Sequence, residues 1–572
     1  MERPISRFVA STKTIPDTAH QSNGPSASPK PDKVFLEACH IYFRHCHNKP
    51  YGFFSARLFH QKVSRNEVPL YLRLALIASA TRYSSRSQWQ ERKQSTIDSY
   101  AKCSWELIMN SVHGLDDNAD VTVIQTLALL ALIDATAGRR RGAWVKIGMA
   151  VRISQDLQMM LEPDSSFSDL ERDERRNLFW SLYLLDRFVC CAFARPPVLN
   201  DSDCRLNLPT YSEPEAGFTV TSLHEMLDEG TRDISIRPGM FGISIGLSSV
   251  LGRTVKCMMN EGPRAEAPWQ PHSQYSAIYA DLEYLKELAV KNGPVLAAPD
   301  QPRSPKTMPD PDREQIAHMV LSHTLYHLSH CILGHPYLLS LKISKVSRAN
   351  MPATWLEETR TTCLAHAGAL ITILVEAKAA GYMPVPSFYS YCILVASTVQ
   401  GLYLYSEDVS TRETSAEYLQ TSLQYLGDMS ELWENAHIMA SALKSFTSQC
   451  ARCSDILLHN EPRIESLTPT ESAILRSVVD YWEMMDPRKP VFDRTSVKPS
   501  DFPALPVLSP GYITPPSPSG VDSITLGVNN PTFAGNAIDP DIVIPCTPRA
   551  LSPMISDGGS PRWDWDNELD GL

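Results

Sequence analysis

Apolar residues recur three or four positions apart in a succession of segments along this chain, separated by polar or proline-containing stretches. This spacing places the apolar side chains on one face of a helix. The pattern is fullest between residues 139 and 209. A first helix is predicted there, with one stripe of side chains formed by Trp144, Ile147, Val151, Ser154, Leu157 and Leu161.

A second helix follows in the same segment. Ser168 stands three residues before Glu171, so the hydroxyl can accept from a first-turn N–H while the glutamate reaches back to the serine N–H. This spacing predicts a capping box. The helix must end before Pro196, which lacks an N–H and disfavours helical backbone at Arg195. Its apolar positions are Leu178, Leu182, Leu185, Val189 and Ala192.

Most of the remaining chain shows the same helical pattern. Further helices are predicted over residues 33–51, 69–83, 97–112, 121–137, 355–380, 387–405, 415–454 and 469–485, with another beginning at Arg313. Thr468 and Glu471 form a second capping box around Pro469. Loops are predicted at residues 213–239, 260–273 and 294–312. The fold class is therefore predicted to be all-α.

The two ends of the chain differ from this helical region in composition. Residues 1–33 are polar and rich in Ser and Pro, and residues 491–572 are rich in Pro, Ser, Gly and Asn. Such segments lack the apolar surface that offsets the entropy cost of ordering. We expect one large multi-helix domain over residues 34–490, with disordered N- and C-terminal tails.

The last residues of the chain combine acidic and bulky apolar side chains, namely Trp563, Asp564, Trp565, Asp566 and Leu569. Acidic residues keep such aromatic side chains solvated and available to the groove of a partner, as in disordered activation segments. A tail that serves only solubility is the alternative, and the two tryptophans favour the activation segment.

Net charge, cysteine distribution and hydropathy argue against several classes of protein. The net charge of −11 argues against binding nucleic acid through the overall field, since phosphate neutralisation needs clustered Lys and Arg. The 13 cysteines are scattered and no apolar leader precedes residue 31, which indicates an intracellular, reducing compartment. Residues 379–406 carry no charge, but prolines and polar residues interrupt them, so we expect a buried helix and no membrane contact.

One acidic stretch suggests catalysis. Asp116, Asp117 and Asp120 lie in the sequence DDNAD, which could hold magnesium for a diphosphate in an all-helical enzyme of the terpene synthase type. That chemistry needs a second metal-binding motif, which is not found, and Asp120 fits better as the N-cap of helix 121–137. No nucleophile with a base, phosphate loop or HExxH motif stands out. We expect no enzyme activity, and the helical enzyme is the alternative.

Histidines and cysteines form three groups that raise the question of a metal. His323, His327 and His330 share one helix face at a spacing compatible with zinc, but that helix is saturated with leucine, which favours core histidines. In the second group, neighbouring side chains point in different directions on a helix, and in the third group two cysteines have no further ligands nearby in sequence. These sets are Cys39, His40, His45, Cys46 and His47, and the pair Cys450 and Cys453. We expect no metal and no cofactor.

The order of motifs between residues 120 and 209 carries a family resemblance. A Trp follows a basic turn, and then come Glu-Arg-Arg-Asn-Leu-Phe-Trp-Ser, Leu-Asp-Arg and Ala-Arg-Pro-Pro. The series resembles the regulatory middle homology region of fungal zinc-cluster transcription factors, the domain named after xylanolytic activators. The resemblance extends more broadly over residues 34–460. The positions that carry it are Trp144, Asp156, Trp180, Asp186, Arg187, Arg195, Pro196 and Pro197.

The resemblance implies a nuclear module that regulates transcription by RNA polymerase II. Its implied partners are DNA, co-regulators, a small-molecule effector and a second copy or a related chain. In that family a zinc cluster of six cysteines normally precedes the module and contacts DNA. The cysteines of this sequence do not form one, so we expect direct DNA contact only if a zinc cluster lies upstream of Met1, and contact through a partner otherwise.

A local pairing is also expected at the end of the second helix. An arginine fork can hold a carboxylate together with the exposed carbonyls of a helix end. Asp186 and Arg187 are therefore expected to pair with the loop that contains Arg195, Pro196 and Pro197.

Overall fold

The computed structural model describes residues 33–486, except 85–92, 112–119, 191–196, 210–220, 260–265, 293–309, 380–386 and 460–462, and short gaps at 229, 231, 233–235, 237, 349 and 449. Both predicted tails lie outside the described residues. So do the activation segment Trp563 to Leu569, the aspartates Asp116 and Asp117, and the loop residues Arg195 and Pro196.

The described residues form 19 α-helices and no β-strand, which confirms the all-α prediction. The helices are α1 (Lys33–His45), α2 (Ala56–Ser64), α3 (Leu70–Thr81), α4 (Lys93–Ser111), α5 (Val121–Thr136), α6 (Arg140–Asp156), α7 (Asp169–Val189), α8 (Leu223–Leu227), α9 (Met240–Met259), α10 (Gln274–Asn292), α11 (Asp310–Gly334), α12 (Pro336–Ile343), α13 (Trp355–Ala379), α14 (Phe388–Leu402), α15 (Val409–Ser430), α16 (Glu434–Thr447), α17 (Cys450–Leu457), α18 (Pro469–Val479) and α19 (Tyr481–Met484).

Side-chain caps fix the start of the main helices. The predicted capping box of Ser168 and Glu171 is confirmed at α7, where each side chain meets the backbone N–H of the other residue. A second predicted box, of Thr468 and Glu471, is confirmed at α18. Asp120 caps α5 by accepting from Thr122 N, as the sequence predicts.

Two helices are buried on all sides. Every residue of α7 from Leu178 to Val189 is buried, and so is every residue of α14 from Tyr389 to Leu402. The two helices meet where the rings of Phe188 and Phe388 stack, with centroids 4.1 Å apart. Other helices pack around them in adjacent pairs, such as α5 with α6, α9 with α11, and α11 with α13. The uncharged segment predicted as a buried helix is therefore core.

Several helix limits differ from those that periodicity predicts. The first helix ends at His45 instead of continuing to residue 51. The stripe on α6 is only partly buried, since Ile147 and Val151 are buried while Trp144 is 43% exposed and Leu161 lies beyond the helix. Helices α8, α9 and α10 are additional to the predicted ones, and α8 lies inside a predicted loop.

The final predicted helix is broken in two. Residues 469–485 form α18 and α19, which are separated at Asp480. The backbone of Asp480 is extended, and its carboxylate accepts from the N–H groups of Trp482 and Glu483, at 2.9 and 3.1 Å. An internal aspartate therefore ends one helix and caps the next, because its side chain competes for backbone N–H groups.

One helix of the described residues, Trp355–Ala379, is long and apolar enough to cross a membrane by length and composition. Its buried side includes Cys363, Ala367 and Leu370, and it packs against α11 and α14. These contacts bury one side of the helix within the fold.

Candidate functional site

Helix α7 carries three of the eight motif residues that the sequence singles out, Trp180, Asp186 and Arg187, and two of its sides are of interest. One side holds the loop that follows it. We call this arrangement the clasp, formed by Trp180, Tyr183, Asp186 and Arg187 of α7 with Val198, Leu199, Asp201 and Asn207 of the loop. The other side of α7 lines a cavity.

In the clasp, Asp186 and Arg187 together bind the loop backbone. The Oδ2 atom of Asp186 accepts from Val198 N at 2.9 Å and from Leu199 N at 3.1 Å. The Nη2 atom of Arg187 donates to Leu199 O at 2.7 Å and to Asp201 Oδ1 at 2.6 Å. Helix α7 therefore supplies both an acceptor and a donor to the described part of the loop, and Arg195, which is also expected to pair here, lies outside the described residues.

Three further hydrogen bonds complete the clasp. Tyr183 Oη donates to Asp201 Oδ1 at 2.6 Å, and Ser249 Oγ of α9 donates to Asp201 Oδ2 at 2.5 Å. The indole Nε1 of Trp180 donates to Asn207 O at 3.0 Å. Every polar group named here has a partner, which is the condition under which a buried polar network stabilises a fold.

The charges in the clasp compensate one another. Burial lowers the pKa of Arg187, but Tyr183, Asp201 and Asp186 together raise it above its ordinary value. Burial raises the pKa of Asp201, yet Arg187 and hydrogen bonds from Ser249 and Tyr183 bring it below its ordinary value. Both groups are therefore charged at neutral pH, as an ion pair requires.

Three of the remaining motif residues are described, and they lie outside the clasp. Trp144 and Asp156 are exposed on α6, and Pro197 is half-buried next to Val198. Arg195 and Pro196 lie outside the described residues. The motif therefore divides into a buried structural set around Trp180, Asp186 and Arg187 and an exposed pair on α6.

The histidines of α11 pack against one another and against α13. The Nδ1 atoms of His327 and His366 are 2.8 Å apart, and the ring of His330 stacks on that of His366 with centroids 3.9 Å apart. Burial lowers the pKa of all three, so the rings are neutral. The part of the chain that the structure describes holds no group of three or more His, Cys, Asp or Glu that could bind a metal ion.

A cavity lies on the other side of α7, and we call it the aromatic cavity. It has about 1030 Å³ of empty volume, a figure that includes space open to solvent. Leu185, Phe188 and Val189 form its α7 wall. Its aromatic lining consists of Tyr42, Tyr51, Phe53, Tyr83, Phe188, Phe388, Tyr391, Trp433, Tyr481 and Trp482.

The break at Asp480 builds one wall of this cavity. The turn brings Tyr481 Oη to Ala135 O of α5, at 2.7 Å, and Trp482 Nε1 to Val189 O of α7, at 2.9 Å. Both donors are satisfied at the polar ends of their rings, so the apolar faces are free to line the cavity. The C-terminal helices are thereby attached to α5 and α7.

A buried arginine forms the polar end of the cavity. Arg82, at the end of α3, is only 7% exposed. Its Nη1 donates to Leu432 O at 2.7 Å, and its guanidinium lies 4.1 Å from the ring centroid of Trp433. Burial lowers the pKa of Arg82, and Tyr83, Cys46, Asp98 and Glu434 offset only part of that shift.

Sequence reasoning did not identify this cavity. Its lining comes from residues 42–53, 79–83, 129–136, 185–189, 387–391, 433 and 481–482, which share no local pattern. One available signal was Arg82, an arginine that follows the apolar second half of a predicted helix, in the sequence ASATRY. Another was the aspartate inside a predicted helix, at position 480.

Comparison with known families adds an independent observation. Residues 39–280 match the family model described as the fungal specific transcription factor domain. The matched range contains the clasp and the α1, α3, α5 and α7 walls of the aromatic cavity. The α14, α16 and α19 side of the cavity lies beyond it.

Curated relatives agree with this match. A transcriptional regulatory protein of Schizosaccharomyces pombe, described as uncharacterized, is 26% identical over 46% of this chain and 30% of its own length. A Zn(2)-C6 fungal-type transcription factor of Fusarium oxysporum is 21% identical over 74% of this chain and 46% of its own length. A second such S. pombe protein is 24% identical over 48% of this chain and 36% of its own length. The chain matches less than half the length of each relative.

Proposed function

We propose that this chain is a fungal transcription regulator and that the aromatic cavity is its effector site. The match of residues 39–280 to the fungal specific transcription factor domain, and the relatives that are transcriptional regulators, support the first part of the proposal. One observation carries the second part. The aromatic cavity is lined both by the matched region and by helices that lie beyond it in sequence.

A ligand in this cavity would stabilise the packing of the two parts. It would contact Phe188 of α7 and Phe388 of α14 together, and it would lie beside the Trp482 attachment. A ligand that binds only this packed arrangement shifts the population toward it, by an amount set by its concentration relative to its dissociation constant. Effector binding is thus expected to change the conformation of the helical region that a partner binds.

The proposed location and partners of the protein are those that the family resemblance implies. We propose that the protein acts in the nucleus, and that it reaches DNA through a zinc cluster on a longer chain or through a partner transcription factor. Co-regulators and a second copy or related chain are the further partners. We propose a regulatory and not a catalytic role; Asp120 serves as the N-cap of α5, and Asp116 and Asp117 lie outside the described residues.

The effector site can be tested in cells with the whole chain fused to a heterologous DNA-binding domain and a reporter gene. The variant Ser79→Phe places a ring in the cavity from α3. The matched control is Ser99→Phe on α4, because each serine hydroxyl donates to the carbonyl four residues before it, at 3.0 and 2.8 Å. Only Ser79→Phe is expected to change reporter output. Equal output from wild type, Ser79→Phe and Ser99→Phe would contradict the proposal.

The acidic and aromatic end of the chain is proposed as an activation segment. A fusion of residues 499–572 to the same DNA-binding domain is expected to activate the reporter. Changing both Trp563 and Trp565 to Ala should abolish activation, because the aromatic side chains are the groups that a partner groove would bind. Activation that survives the double substitution would assign the effect to acidic charge alone.

A further inference from the structure

The charge of Arg82 is the feature of the aromatic cavity that its structural role does not explain. The guanidinium is buried, yet no described carboxylate forms an ion pair with it. Its partners are one backbone carbonyl, Leu432 O, and the face of one indole ring, Trp433. An arginine carries five N–H donors, and among the described residues the guanidinium of Arg82 makes one hydrogen bond, to Leu432 O.

Two other buried arginines with a structural role have more hydrogen-bond or ion-pair partners than Arg82. Arg187 lies between Asp186 and Asp201, at 3.1 and 2.6 Å. Arg360 has no carboxylate, but its guanidinium donates to three carbonyls, those of Leu457, Leu458 and His459, at 2.6 to 3.0 Å. Among the described residues, Arg82 has neither a paired carboxylate nor a set of carbonyls.

The surroundings of Arg82 favour an anion. The described residues that line the cavity include the cations Arg82 and Lys49 and no Asp or Glu. His45, which also lines it, stacks on Tyr83 with centroids 5.2 Å apart, and its pKa is lowered to about 4 by burial and by Lys49, Arg44 and His40. The ring is therefore neutral at physiological pH and leaves Arg82 as the buried charge.

A second donor lies at the same end of the cavity. The indole Nε1 of Trp433 is buried and has no acceptor among the described residues. A buried donor without a partner costs free energy, which an acceptor group on a ligand would recover. Arg82 and Trp433 thus offer two kinds of donor beside one another to an oxygen-bearing group.

We infer that the aromatic cavity binds an organic monoanion with a flat apolar body, whose carboxylate pairs with Arg82 and whose ring system packs among Phe188, Phe388 and Tyr391. A planar guanidinium matches a carboxylate with two parallel N–H donors. One buried cation balances one negative charge, so a multiply charged phosphate would leave charge uncompensated. The inference rests on the proposed effector function and adds the chemical class of the ligand.

The test compares two probes that differ only in charge. Isothermal titration calorimetry of the full chain at neutral pH measures 2-naphthoate and its neutral isostere 2-naphthamide. We expect naphthoate to bind at least about tenfold more tightly, because a hydrogen bond to a charged group is worth more than one to a neutral group. In Arg82→Met that ratio should fall below about threefold, and Arg82→Lys should retain part of it.

A matched variant controls for the loss of any arginine from this helix. Arg73 also lies on α3 and also faces an aromatic ring, that of Phe35, but it binds Val68 O and Asn66 and does not line the cavity. Arg73→Met should leave the ratio of the two affinities unchanged. A ratio that survives Arg82→Met, or that falls equally in Arg73→Met, would overturn the inference.

The two proposals fail in different ways. If naphthamide binds as tightly as naphthoate to the wild-type chain, the cavity binds apolar ligands and only the preference for an anion falls. If neither probe binds the folded wild-type chain, the inference falls, while the Ser79→Phe reporter result still decides the effector function. Should Arg82→Met fail to fold by circular dichroism, the wild-type ratio together with Arg82→Lys decides the question.

Discussion

The clasp and the aromatic cavity lie on two sides of the same helix, and each contains a buried arginine. Arg187 is 3% exposed and Arg82 is 7% exposed, so burial does not distinguish them. Compensation does, because Arg187 has two carboxylates and a carbonyl while Arg82 has one carbonyl and an indole ring. The pKa of Arg187 is raised and that of Arg82 is lowered accordingly.

This difference separates groups that hold the fold together from groups that are available to a ligand. A buried charge is costly unless it is paired, so a fold that needs only stability pairs it internally. The clasp meets that condition completely. In the cavity, by contrast, no described carboxylate forms an ion pair with Arg82, and four substitutions and one change of pH test whether that contrast is real.

Replacing Arg187 with Met should have the largest effect. The substitution leaves Asp186 and Asp201 without their guanidinium, and breaking a buried ion pair by removing one partner costs about 3–5 kcal/mol. Urea unfolding of the full chain, followed by far-UV circular dichroism, measures the loss. A loss no greater than that of Arg82→Met would break the comparison between the two arginines.

Replacing Asp480 with Ala should weaken the cavity side and spare the clasp. The substitution removes the side-chain cap of α19 and with it the turn that orients Tyr481 and Trp482. Loss of a cap costs about 1 kcal/mol of unfolding free energy. The same unfolding experiment measures it, and binding of 2-naphthamide should weaken in parallel. Asp480→Asn, which keeps a capping oxygen, should behave like the wild-type chain.

As the pH is lowered, the stability contribution of His45 at the cavity should be lost at a higher pH than that of Asp201 in the clasp. The folded pKa of His45 is about 4, lowered chiefly by burial, while an unfolded histidine titrates near 6.5. Between those values the unfolded chain binds more protons, so stability falls as the pH is lowered through this window. The pKa of Asp201 lies below its ordinary value, so its contribution is complete above about pH 4 and is lost only below that pH.

The variant His45→Gln isolates the contribution of His45 to that pH dependence. It should reduce the loss of stability between pH 6.5 and 4.5 by an amount on the order of 1 kcal/mol, allowing for solvent screening of a partly exposed ring. Urea midpoints at several pH values measure this slope. His272, which is exposed, supplies the control variant His272→Gln, and an equal reduction in both variants would argue against a specific role for His45.

Replacing Arg82 with Met should have the smallest effect on stability. The chain loses one hydrogen bond to Leu432 O and the stacking on Trp433, each worth about 1 kcal/mol, but it no longer buries an unpaired charge. We expect a net change below about 1 kcal/mol in urea unfolding. A loss near that of Arg187→Met would show that Arg82 is structural after all.

The parts of the fold that sequence patterns predicted are those with local causes. The capping boxes at Ser168 and Thr468 and the N-cap at Asp120 each depend on residues two or three positions apart. Helix α14 was predicted as buried because its own sequence lacks charge. The all-α class follows from the sum of such local signals.

The parts that sequence patterns missed depend on contacts between distant residues. Trp144 shares the helical spacing of Ile147 and Val151 but is exposed, because periodicity gives the face of a helix and not what covers it. At Asp480 the side-chain carboxylate competes with helical carbonyls for the same backbone N–H groups. The neighbouring sequence does not show which of the two acceptors wins. Arg82 becomes notable only when the absence of acidic lining residues in the described cavity is known.

The cavity has a consequence for how specificity could diverge among related regulators. Residues 39–280 supply one set of walls, while Phe388, Tyr391, Trp433, Tyr481 and Trp482 come from beyond that range. Substitutions in the later segment can therefore reshape the ligand site without touching the clasp. A chimera that exchanges only residues 39–280 between two such proteins would inherit Arg82 from one parent and most of the opposing aromatic surface from the other, so its ligand preference should match neither.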